Sequence, residues 1–180
     1  MILLQDAKHA FSIREAKIED AKSLSELRVK IDGETENMDR ESGEDFISEE
    51  GFKKVILNDS KQKTHLFLVA EADGKLVGFS RCEGSNLRRT AHKVEFGVCV
   101  LKDYWGNGIG KRLLIDSIRW AEDADIKKIT LQVLETNENA IQLYKRVGFE
   151  IEGVLRRDKL LSDGKYYDTI VMGRILQNQF

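Results

Sequence analysis

The sequence predicts an α/β fold in which helices pack against a mixed central β-sheet. Apolar residues recur with helical spacing in four segments, and seven further segments have the alternation or continuity typical of strands. Helical segments come first, a meander of strands follows, and strand–helix–strand units close the chain, an order that favours helices layered on one sheet. The chain has 180 residues and no internal repeat, so residues 1–180 are expected to form one domain.

The first half of the chain is predicted to contain two helices and three strands. The helices cover residues 18–31 and 46–57, and the strands cover residues 12–16, 65–72 and 76–82. Leu24 and Ile31 belong to the apolar stripe of the first helix. The acidic and polar segment 32–45 between the helices is expected to be a loop. Asp73-Gly74 separates the last two strands and is a strong hairpin signal.

The second half is predicted to alternate strands and helices. The strands cover residues 93–100, 126–134, 149–155 and 166–176, and the helices cover residues 109–121 and 137–147. Val94 and Phe96 show the alternation of a half-buried strand. Asn137 is expected to cap the last helix and Gly148 to end it. A turn is expected around Asp163-Gly164.

Composition limits the classes of partner and location. Lys and Arg total 29 against 31 Asp and Glu, so a nucleic-acid partner is not favoured. Cys82 and Cys99 are expected to be reduced, buried thiols, which suits a cytoplasmic protein. Residues 1–11 lack the features of a signal peptide, and no apolar run approaches the roughly 20 residues that span a bilayer, so no membrane association is expected.

A glycine-rich loop, Gly106-Asn107-Gly108-Ile109-Gly110, lies between a predicted strand and a predicted helix. Helix N-termini present unpaired N–H groups and partial positive charge, and glycines allow close approach of an anion. Lys111 adds a positive charge in the first helical turn, so the loop predicts a phosphate site. The spacing fits neither a Walker loop nor a Rossmann fingerprint.

The loop and its flanks resemble the GCN5-related N-acetyltransferase (GNAT) superfamily, similar to its ribosomal-protein and polyamine acetyltransferase branch. The resemblance rests on three runs: Ile13-Arg14-Glu15-Ala16, residues 94–114 with the loop above, and Asn137-Glu138-Asn139-Ala140-Ile141-Gln142-Leu143-Tyr144-Lys145-Arg146-Val147-Gly148-Phe149. Two residues depart from the pattern. Trp105 stands where the family motif has Arg or Gln, and Lys102 stands where many members have Pro.

The resemblance implies a mostly antiparallel sheet of six to seven strands with four flanking helices, acetyl-CoA as cosubstrate, and no metal. It assigns cofactor contacts to the loop, to the strand before it and to the following helices: Val98, Cys99, Val100, Trp105, Gly106, Asn107, Gly108, Ile109, Gly110, Lys111 and Asn139. The strand is expected to bond the pantetheine arm through its backbone, and Gly97 to form a bulge that opens the sheet.

Two residues are the candidates for proton transfer. Tyr144 matches the family's tyrosine that protonates the departing thiolate, although an apolar-face role in its helix is an alternative. Glu95 is the candidate general base, acting through a water, and a solvated or structural glutamate is its alternative.

The acceptor stays open between a polyamine or other small amine, an amino acid or antibiotic, and a protein N-terminus. Residues 32–50 are rich in Asp and Glu and would attract a cationic amine if they cover the acceptor site. An acyl-CoA-binding sensor without turnover is the alternative function, and a homodimer is left open.

Overall fold

The computed structural model describes residues 9–176, and its central feature is one sheet of seven strands. The expectation of no signal peptide in residues 1–11 falls mostly outside this range. The strands are β1 (Phe11–Glu15), β2 (Leu66–Ala72), β3 (Lys75–Gly84), β4 (Lys93–Val100), β5 (Lys128–Leu134), β6 (Glu150–Leu160) and β7 (Tyr166–Ile175). The helices are α1 (Ala21–Glu34), α2 (Glu49–Ser60), α3 (Ile109–Asp123) and α4 (Glu138–Arg146). The predicted α/β fold with a mixed sheet is confirmed.

The strand order is β1-β2-β3-β4-β5-β7-β6, and all neighbours are antiparallel except β4 and β5. The parallel pair is joined through α3, the connection that parallel neighbours require. Tight turns join β2 to β3 and β6 to β7, as expected: φ is 52° at Asp73, 72° at Gly74 and 75° at Gly164.

Helices cover both faces of the sheet, and β2 shows why. Its alternate residues Phe67 and Val69 pack with Leu24 of α1 and Phe52 of α2. The intervening residues, including Leu68, pack in the larger cluster that holds Leu113, Leu114 and Ile118 of α3. Strand alternation therefore divides the core into two layers. Within residues 9–176, no helix combines the length and apolar character needed to cross a membrane.

The first two helices begin later than predicted. Residues Ile18–Asp20 form a 3-10 turn, and α1 starts at Ala21. The second helix starts at Glu49 because the Ser48 hydroxyl accepts a hydrogen bond from the Gly51 N–H at 3.1 Å. Phe46, expected inside this helix, lies in the preceding loop with 60% of its surface exposed.

The predicted cap of α4 was wrong in detail. Asn137 occupies the position before the helix, but its side chain makes no capping hydrogen bond. The other end follows the prediction. Gly148 has φ of 91°, and the N–H groups of Gly148 and Phe149 donate to the carbonyls of Lys145 and Tyr144 at 3.1 and 3.0 Å.

Candidate active site

The sheet opens between β4 and β5. These strands pair only at Lys93, Val94 and Glu95 of β4, opposite Lys128, Ile129 and Thr130. Beyond that point β4 stays paired with β3, while β5 stays paired with β7. The facing edges of residues 97–100 and 131–134 therefore carry backbone groups that a ligand can bond as an added strand would.

Val98, Cys99 and Val100 lie on this open edge, as predicted. The expected bulge at Gly97 is wrong, because β3 and β4 keep one continuous register from Val94 to Val100. Divergence of β5 opens the sheet instead. Nothing lies within 4 Å of a Cβ built on Gly97, so this position also borders open space.

The glycine loop lies at the N-terminal end of α3. Gly106 and Gly108 have φ of 78° and 83°, a conformation that other residues adopt at a cost. A Cβ at Gly106, Gly108 or Gly110 would meet no atom within 4 Å. The first turn of α3 therefore presents its N–H groups to an unobstructed space, and these groups fit a pyrophosphate.

The side chains in and beside the glycine loop differ in exposure and in their hydrogen bonds. Ile109 is 1% exposed, so it can contribute only its backbone to a ligand. The Asn107 amide donates to the carbonyls of Tyr104 and Trp105 at 2.9 and 3.3 Å and thereby holds the loop closed. Lys111 is exposed and has no ion-pair partner within residues 9–176.

Trp105 ties the loop to the open strand. Its indole Nε1 donates to the Val100 carbonyl at 2.8 Å, at the end of β4. The indole N–H is thus already engaged, and 46% of the residue surface remains exposed. This tryptophan cannot replace the donors of an Arg at this position, but it positions the strand that borders the gap.

Tyr144 projects from α4 into a cavity beside the gap. The residue is 7% exposed, packs against Phe149 with ring centroids 5.8 Å apart, and lines the cavity. No hydrogen-bond partner of its hydroxyl is present within residues 9–176. Burial raises the pKa of Tyr144 to about 12, so the phenol remains protonated near neutral pH and can donate.

Glu95 lies on the floor of the same cavity. It is exposed, whereas its neighbour Phe96 is 3% exposed, so the two point to opposite faces as expected. Glu95 stands directly across from Glu83 on β3. Arg81 bonds Glu83 at 2.9 Å, but no partner of the Glu95 carboxylate is present in the described chain. Within the described residues, the Glu95 carboxylate is therefore held by no ion pair or hydrogen bond.

The cavity has a volume of about 600 Å³, in the range of small-molecule sites. The predicted residues that line it are Glu95, Val98, Cys99 and Tyr144. The glycine loop, Lys111, Val100 and Asn139 do not line it; Asn139 is exposed in the first turn of α4. The predicted residues thus fall into two groups, one at the glycine loop and one at the cavity, here called the phosphate end and the reaction end after their predicted roles.

The two cysteines are free thiols. Cys82 is fully buried, and Cys99 is only partly buried, less than expected. Burial raises the pKa of each thiol to about 12. Cys99 therefore remains a neutral thiol on the cavity wall.

Sequence reasoning missed the basic residues of the cavity. Arg28, Arg40, Arg81 and Lys159 line it together with Glu36, Asp39, Asp45, Glu83 and Glu95. Five of the nine acidic side chains of residues 32–50 are ion-paired, so the negative charge of this segment is partly neutralised. No sequence signal was available, because Arg28 and Lys159 lie far along the chain from their partners.

Comparison with known proteins identifies the family of this chain. The sequence model of the Acetyltransferase (GNAT) family matches residues 34–149, so the chain belongs to that family. The L-amino acid N-acetyltransferase AaaT of Escherichia coli is 33% identical over 109 residues, which cover 60% of this chain and 67% of that protein. The N-alpha-acetyltransferase of Sulfurisphaera tokodaii is 36% identical over 105 residues, 53% of this chain and 63% of that protein.

A solved structure confirms the fold. A GNAT-family acetyltransferase from Streptococcus pneumoniae superposes with a TM-score of 0.89 at 27% identity, covering 93% of this chain and 100% of that one. The matches to the two curated relatives span about two thirds or less of their lengths. The four helices and seven-stranded, mostly antiparallel sheet are those of the GNAT fold.

Proposed function

We propose that this protein transfers an acetyl group from acetyl-CoA to the primary amine of an acceptor. The observation that carries the proposal is the adjacency of an opened sheet edge and one cavity that holds an unpaired carboxylate, Glu95, and a protonated phenol, Tyr144. Family membership supports the acetyl donor. The acceptor classes are a small amine, an amino acid or antibiotic, and a protein N-terminus.

The donor side would be held by backbone groups. The N–H groups at Gly108, Ile109 and Gly110 would bond the pyrophosphate, and Lys111 would add positive charge. The open edge at Val98–Val100 would bond the pantetheine amides as a neighbouring strand does. Bound acetyl-CoA supplies an acetyl group activated as a thioester.

The reaction end then needs three proton transfers. Near neutral pH an aliphatic amine is mostly protonated, and only the free amine is a nucleophile. Glu95 takes this proton, directly or through a water, and Tyr144 gives its proton to the departing thiolate. The amine nitrogen forms the bond to the acetyl carbon while the carbon–sulfur bond breaks, and the excess proton on that nitrogen then passes through water to the Tyr144 phenolate, which restores the phenol.

The test is acetyl-CoA-dependent release of free thiol with a panel of amines, for wild type and Glu95→Gln. The variant should lose about 100-fold in kcat/KM at pH 7, in the range of general base catalysis, and less above pH 10, where the amine deprotonates itself. Glu150→Gln, an exposed strand glutamate on β6, is the matched control and should be unchanged. CoA binding without turnover of any amine would instead support a sensor.

A further inference from the structure

The segment 35–48 between α1 and α2, here called the roof segment, is held firmly on α1. Arg40 bonds the Asp32 carboxylate through two nitrogens at 3.1 and 3.3 Å, and Asp32 has only 3% of its side chain exposed. Arg28 donates to the Asp45 carbonyl at 2.5 Å. The Ser25 hydroxyl donates to the Ile47 carbonyl at 2.6 Å. The roof segment is therefore positioned by α1.

One end of the roof segment crosses the cavity to the hairpin of β6 and β7. The Asp39 carboxylate meets the Lys159 ammonium at 3.0 Å. The Ser162 N–H donates to Glu36 at 3.1 Å, and the Ser162 hydroxyl bonds the other oxygen of that carboxylate. These contacts, here called the bridge, join groups separated by 120 residues or more along the chain.

The bridge forms part of the cavity wall, because Glu36, Asp39 and Lys159 all line the cavity. Its hairpin side is fixed to the sheet. Lys159 also contacts Asp158 at 3.3 Å, and the Thr169 hydroxyl on β7 donates to Asp158 at 2.6 Å. The cavity thus has the sheet as its floor, the roof segment above, and the bridge across one side.

We infer that the bridge closes the acceptor side of the cavity and restricts the acceptor to a small amine, excluding the N-terminus of an extended polypeptide. This inference rests on the proposed function. A peptide whose terminal amine reached Glu95 would need an open groove for its following residues. A small amine can enter when the bridge opens briefly. The bridge contacts are exposed and individually weak, so they can break and re-form.

The experiment uses two bisubstrate conjugates that differ only beyond the first residue. CoA is joined through an S-acetyl link to the amine of alanine amide, or to the N-terminus of a hexapeptide that begins with alanine. Calorimetry measures the affinity of each for wild type and for the double variant Glu36→Gln/Asp39→Asn. Binding requires no turnover, and both conjugates present the same alanine amine, so their affinities differ only through the residues beyond it.

Wild type should bind the short conjugate at least tenfold more tightly, and the double variant should reduce this preference at least threefold. Lys159→Gln removes the basic partner of the bridge and should reduce the preference for the short conjugate in the same way. Lys165→Gln, an exposed lysine near the same hairpin turn, should leave the preference unchanged. Melting temperatures of all variants show that each is folded.

Equal affinity of wild type for both conjugates, or an unchanged preference in both bridge variants, would overturn the inference. In that result CoA still binds and the proposed function stands. Failure of free CoA and of both conjugates to bind would overturn the proposed function together with the inference.

Discussion

Replacement of Gly108 by alanine should have two separate effects, one on the stability of the protein and one on its affinity for CoA. Gly108 has φ of 83°, and an alanine there pays about 1–2 kcal/mol for the left-handed backbone. No atom lies within 4 Å of the added Cβ, so the protein itself adds no steric cost. For a chain of this size, the melting temperature should fall by about 2–8 °C.

The affinity for CoA should also fall, because the added Cβ enters the space in front of the first turn of α3. Loss of one N–H bond to a charged phosphate oxygen costs about 1.5–3 kcal/mol. The Kd for CoA should therefore rise about 10- to 150-fold. Calorimetric titration with CoA measures this rise, and thermal unfolding without CoA measures the stability.

Gly164→Ala is the matched control. Gly164 has φ of 75° and the same open space around a built Cβ, but it lies in the turn between β6 and β7. Its stability loss should equal that of Gly108→Ala, with CoA affinity unchanged. Similar CoA affinity in both variants would refute the assignment of the loop as the phosphate site.

Two further substitutions test the reaction end and the start of α1. Tyr144→Phe should lower kcat at least tenfold and leave the Kd for CoA within about twofold, since the hydroxyl acts only as proton donor. Because burial raises the pKa of Tyr144 to about 12, the kcat of wild type should show no alkaline decline from this group between pH 7 and 10. A variant with the wild-type rate would exclude Tyr144 as the acid. Asp20→Asn should cost about 1–2 kcal/mol at pH 7, because Asp20 accepts two bonds from Arg14 at 2.7 and 2.9 Å and one from the Lys17 N–H. The Arg14 bonds lower the pKa of Asp20, so this stability is fully present above the ordinary carboxyl pKa and is lost as pH falls from there through the lowered one. Urea unfolding of wild type and variant should therefore show a smaller difference at pH 3 than at pH 7, and an equal difference at both would contradict the explanation.

The features predicted correctly from sequence are local. The strand β4 follows from the alternation of neighbouring residues, and the loop before α3 follows from its glycines. Neither prediction needs knowledge of distant contacts. The start of α2 was misplaced because Phe46 is apolar and continues the helical stripe, while the Ser48 cap marks the true boundary. At this position the apolar pattern and the capping residue predict different helix starts, and the helix begins after the capping residue.

The walls of the cavity could not be predicted, because they are assembled from distant parts of the chain. The partners of Glu36 and Asp39 lie on the last hairpin, and Arg28 meets Asp45 across a helix and a loop. A count of acidic residues in 32–50 therefore overestimated the free negative charge. The face of the sheet on which Glu95 lies was predicted correctly, because strand alternation alone determines it.

The brief contact between β4 and β5 has a consequence for cooperativity. Three residue positions of strand pairing, with α3 as a covalent and packed link, connect a half-sheet of β1 to β4 with a half-sheet of β5 to β7. Without a ligand, backbone amides near this seam should exchange with solvent through local opening sooner than those of the ladder between β2 and β3. A cofactor whose amides bond both edges would join the halves, so that the two open as one unit and the chain unfolds at higher temperature when the cofactor is bound.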